Sequence, residues 1–62
     1  MKKIIYWRKN RAAESVECDE FTHDLHEITG NFTLKFYQNP SAEKRLVGAV
    51  GGVERFVVER LA

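Results

Sequence analysis

Between Asn31 and Tyr37 the chain alternates, with Phe32, Leu34 and Phe36 on one side and Thr33, Lys35 and Tyr37 on the other. A period of two is that of a half-buried strand. Gln38-Asn39-Pro40-Ser41-Ala42 should end it, because Pro40 offers no amide to a ladder and Asn-Pro favours a turn. Further on, Arg45–Val50 and Val53–Val58 flank Gly51-Gly52, and two glycines accept the positive φ angles of a type I′ hairpin turn. That register pairs Val50 with Val53, Val47 with Phe56, Leu46 with Val57, Lys44 with Glu59 and Glu43 with Arg60. It joins apolar residues inside and opposite charges outside, as cross-strand energetics favour. Val53, Phe56, Val57 and Leu61 also fit helical spacing, but the β-branched density and Gly48, Gly51 and Gly52 weigh against a helix.

Ile4 to Arg8 reads as another strand, apolar on both sides, and Glu14 to Asp19 as a weaker one with Val16 and Cys18 inward. From Asp19 to Gly30 two readings compete. Cys18, Phe21, Leu25 and Ile28 form one helical stripe, with Asp19 placed to cap its start and Gly30 its end. The segment is also short, polar and rich in Thr, His and Asp, which fits a long strand or a loop. The fold expected is mainly β, a small antiparallel meander of about four to five strands, either a twisted sheet or an SH3-like partly open barrel. A short helix between residues 19 and 29 is its variant. The expected core is Ile5, Phe32, Leu34, Phe36, Val47, Phe56 and Val57.

Sixty-two residues make a single domain, residues 1–62, of marginal stability. Cys18 is the only cysteine, which excludes an intrachain disulfide and a thiolate zinc cage. Lys2 and Lys3 precede an apolar run that Arg8 ends, too short for a secretory signal, and no stretch approaches a membrane span. A cytoplasmic protein, without a membrane partner, is expected, and the opening Met suggests a complete small product.

Net charge is +1, but its layout is uneven. Lys2, Lys3, Arg8, Lys9 and Arg11 give the first eleven residues +5, and Glu14, Glu17, Asp19, Glu20, Asp24 and Glu27 give residues 12–28 a charge of −6. On a helix, Asp19, His23 and His26 would share a face and offer zinc- or iron-type ligands. The histidines lack the His-x-x-x-His spacing, and a solvated face opposite Phe21, Leu25 and Ile28 accounts for them. Cys18 with either histidine would resemble a thiol nucleophile, yet so small a chain leaves little volume for a cleft. Gly48-Ala49-Val50-Gly51-Gly52 lacks the Lys-Ser/Thr ending of a phosphate loop.

Two surfaces remain. The acidic segment, through Glu17, Glu20, Asp24 and Glu27, suits a protein partner with a basic groove. The basic and aromatic residues Lys3, Trp7, Arg8, Lys9 and Arg11 resemble a single-strand stacking platform for nucleic acid. The function expected is a non-enzymatic interaction protein without cofactor or metal, binding a protein partner through the acidic surface. Nucleic-acid binding is the alternative. An edge strand would also permit a homodimer.

Overall fold

The computed structural model describes residues 1–38 and 45–61. Five strands form one open antiparallel sheet: β1 Lys2–Arg8, β2 Glu14–Cys18, β3 Glu20–Leu25, β4 Phe32–Gln38 and β5 Arg45–Arg60, in the order β2-β1-β5-β4-β3. The expected mainly-β antiparallel meander is therefore the fold. No described residue is helical.

The two edge strands, β2 and β3, are consecutive in the chain and separated by Asp19 alone. A flat sheet cannot place its two edges one residue apart, so this one coils, in the sense that strand twist allows. The Asp19 amide donates to the Tyr37 carbonyl at 3.1 Å and fastens the corner where the edges meet. Segment 14–25 thus behaves as one bent strand, its first half paired with β1 and its second with β4.

β5 is the matching bent strand, and here the Gly-Gly hairpin is corrected. Gly51 and Gly52 lie inside a continuous 16-residue strand. β4 pairs with Arg45–Val53 and β1 with Val53–Arg60, on opposite edges. The ladder with β4 slips between Phe32 and Leu34, and that with β1 between Trp7 and Arg8. A type I′ turn needs positive φ at both central residues, whereas only Gly52 adopts it, at 69°. Bulges at this point bend the strand. Bending lets each half of β5 cover a different neighbour, while a hairpin would pair the two halves only with each other. Val53 consequently lies opposite Arg8 and Phe32, Phe56 opposite Tyr6, Val57 opposite Ile5, Glu59 opposite Lys3 and Arg60 opposite Lys2. Glu43 and Lys44, and the turn expected at Pro40, fall outside the described residues.

The helical stripe of 18–28 is likewise not formed. Phe21, His23 and Leu25 alternate with Thr22 and Asp24 along β3, and Ile28 is fully exposed. A helix of about ten residues is marginal in water, whereas β4 offers six residues of this segment a full ladder. Gly30 does take a positive φ, 74°, but in the loop to β4, where its amide donates to the His26 carbonyl at 2.7 Å.

The core consists of Ile4, Tyr6, Cys18, Leu34, Phe36 and Val53, with Val16, Phe21, Phe32, Val50 and Phe56 packed against it. Phe32, Leu34, Phe36 and Phe56 stand on the inner side as expected. Ile5, Val47 and Val57 do not belong to the core. Ile4 and Tyr6 take the inward side of β1, which turns Ile5 and its partner Val57 outward, and Val47 lies in the outlying half of β5. Rings close the interior: Tyr6 stacks on Phe36 at 6.2 Å, and Phe32 meets Phe56 edge-on at 5.3 Å.

Candidate functional site

Opposed residues in an antiparallel pair share a face, so the register sorts the charges. On segment 14–25, Val16 and Cys18 point inward with Ile4, which leaves Glu17 outward and exposed. On β3, Phe21 opposes Phe36 on the inner face, which leaves Glu20 (half-buried) and Asp24 (exposed) outward. Glu27 is exposed in the loop that follows. Both edges of the sheet therefore carry carboxylates along one continuous piece of chain.

The basic segment is divided instead. Lys3 lies on the outer face with Glu17 opposite on β2 and Glu59 opposite on β5. Arg8 donates from Nε to Glu14 Oε1 at 3.0 Å, and its Nη2 ion-pairs with the same oxygen. Lys9 and Arg11 are exposed in the turn after β1, where Asn10 takes a φ of 60° and the Arg11 amide donates to the Arg8 carbonyl at 3.2 Å. Trp7 is half-buried on the outer face, with the Arg55 guanidinium 4.1 Å above its ring centre. One face of the indole is thus covered by this chain's own Arg55.

The histidines are drawn apart. His23 lies against Phe56 (5.3 Å), Phe21 (6.1 Å) and Phe32 (6.1 Å) on the inner side. His26 Nε2 shares a 2.8 Å hydrogen bond with Thr33 Oγ1, and Thr33 is on the outer side of β4. Among the described residues no metal-sized group of His, Cys, Asp and Glu gathers, and no pocket opens. Cys18 is fully buried, and burial pushes its thiol above the ordinary range, with Lys2 opposing that shift.

Sequence reasoning overlooked the Phe21–His23–Phe32–Phe56 ring cluster and the Arg55 cover on Trp7. The first had a local signal, since Phe21, His23 and Leu25 alternate. The second depends on the β1–β5 register and had none.

Comparison with known protein families, with curated proteins and with solved structures finds no match. The described residues include no helix long and apolar enough to cross a membrane.

Proposed function

We propose that this chain is a non-enzymatic, protein-binding module whose contact surface is the acidic outer side of segment 14–25 and the loop after it, with Glu17, Asp24 and Glu27 as the principal contacts and Glu20 beside them. The observation that carries this reading is the unequal treatment of the two charge blocks. The carboxylates follow one continuous stretch of chain along the sheet edges, whereas the basic residues are spread over two faces and the turn after β1. A partner with a basic groove gains both long-range steering and contact from such a strip. Edge strands also offer unpaired backbone groups to an incoming segment.

The deciding experiment compares two sets of variants for retention of a partner captured from lysate of the source cell. Glu17→Lys, Asp24→Lys and Glu27→Lys together should abolish capture, while Lys3→Glu with Arg11→Glu should preserve it. The opposite pattern, with the wild type held on single-stranded DNA at low salt, would establish the nucleic-acid alternative. In that case the acidic reversals should tighten DNA binding.

A further inference from the structure

Ile5 and Val57 oppose each other on the outer side of the β1–β5 ladder, Ile5 half-buried and Val57 46% exposed. The outer side of the β3–β4 ladder is built differently. There Glu20 opposes Tyr37, Thr22 opposes Lys35 and Asp24 opposes Thr33, each pair polar. The charges flanking the Ile5–Val57 pair are unequal. Toward one end, Lys3 stands between Glu17 on β2 and Glu59 on β5, so that row is left with an excess negative charge. Toward the other end, Trp7 opposes Arg55, whose guanidinium rests 4.1 Å above the indole centre. A guanidinium stacked flat on a ring still offers its in-plane N–H groups to a carboxylate.

We propose that two copies of this chain pack outer face to outer face through β1 and the second half of β5, about a two-fold axis that crosses these strands at Ile5 and Val57. A second copy is the occupant because the charges on this face complement themselves under that rotation. The axis reverses direction along the strands, so Arg55 of each copy faces Glu59 of the other, and the negative row meets the positive end. Ile5 and Val57 of the two copies meet at the centre. An axis running along the strands would instead lay acidic end on acidic end and bring the two Arg55 side chains together. Packed sheets cross at about 30°, an offset that arginine and glutamate side chains can span. The outer side of a coiled sheet is convex, which keeps the contact small, so the dimer should come apart on dilution. Two-fold pairing also closes on itself, and assembly stops at two chains. Asp24 and Glu27 lie outside β1 and β5 and take no part.

Sedimentation velocity and light scattering over a dilution series test this. The wild type should show twice the 7.2 kDa of the chain, reverting to 7.2 kDa on dilution. Val57→Lys, at an outward position, should be monomeric with an unchanged circular dichroism spectrum. Arg55→Glu alone and Glu59→Arg alone should each weaken the dimer by about tenfold or more, since two attractions become two repulsions. Mixed together, these two single variants should form a heterodimer tighter than either homodimer, because every contact between positions 55 and 59 then joins opposite charges. Arg55 and Glu59 are both exposed, so the mixing experiment decides the matter even if Val57→Lys fails to fold. A monomer at every concentration, a dimer indifferent to Val57→Lys, or a mixture that yields no heterodimer would overturn the proposal.

Discussion

Cys18 and Trp7 show how much a single position depends on which side of its strand it occupies. Cys18 is buried, so the folded chain accepts the neutral thiol and raises its pKa. For a group whose folded pKa is raised, the stability it confers is intact below the unfolded pKa and lost as pH rises through the folded one. The melting temperature of the wild type should therefore fall more steeply above roughly pH 8.5 than that of Cys18→Ala, in parallel scans. A thiol reagent should label Cys18 slowly in the native protein and rapidly in denaturant. Trp7, one strand away, is half-buried under Arg55. Removing the guanidinium with Arg55→Ala should shift the tryptophan emission to longer wavelength. The accompanying loss of stability should be small, about 0.5–1 kcal/mol, the usual worth of an exposed cation–π contact.

At the scale of elements, the bend in β5 decides the architecture, and its glycines divide the work unequally. Gly52 has a φ of 69°, which any side chain makes costly, although nothing lies within 4 Å of an added Cβ. Gly51 has no such φ, and its added Cβ would meet only Thr33 Oγ1 at 3.9 Å. Gly52→Ala should thus lower stability by about 1–2 kcal/mol, while Gly51→Ala should be neutral or mildly stabilising. Urea titration of both variants checks the contrast; a hairpin turn would have made both positions intolerant. β4 was fully legible in the sequence because its alternation is complete and its two neighbours satisfy both edges. Segment 18–28 was ambiguous because Phe21 and Leu25 fit periods of both 2 and 3.6 residues. The ladder with β4 settled it, a long-range term that no local pattern contains.

For the molecule as a whole, the coil of the sheet brings distant charges into a pattern. Lys3 sits between Glu17 and Glu59 only because β1 is central to β2 and β5. Binding through the acidic edge should accordingly weaken with salt, since exposed charges are screened beyond about 8 Å at physiological ionic strength. Reversal of Glu17, Asp24 and Glu27 should cost more affinity than neutralisation to Gln and Asn, because repulsion is added to lost attraction. Calorimetry at two ionic strengths separates these effects from an apolar contact, which salt would not weaken. Of the candidate site, the identity of the acidic residues was legible, and so was the inward side of Val16 and Cys18. The side of the sheet and the engagement of the basic block were not, since both depend on which strands meet.

The sequence by itself determined the β character of the chain, the inward face of Phe32, Leu34 and Phe36, the separation of charge into two blocks, and the conformational freedom available at Gly51-Gly52. Each of these rests on a period of two or on the steric freedom of glycine, which are properties of neighbours in the chain. Tertiary structure alone decided that Gly51-Gly52 bends a strand instead of reversing it, that Ile4 and Tyr6 displace Ile5 from the interior, and that the two edge strands meet at Asp19. These outcomes follow from how two bent strands share the inner surface of one coiled sheet. A residue's side is fixed by its register, and register is a contest between pairings far apart in sequence.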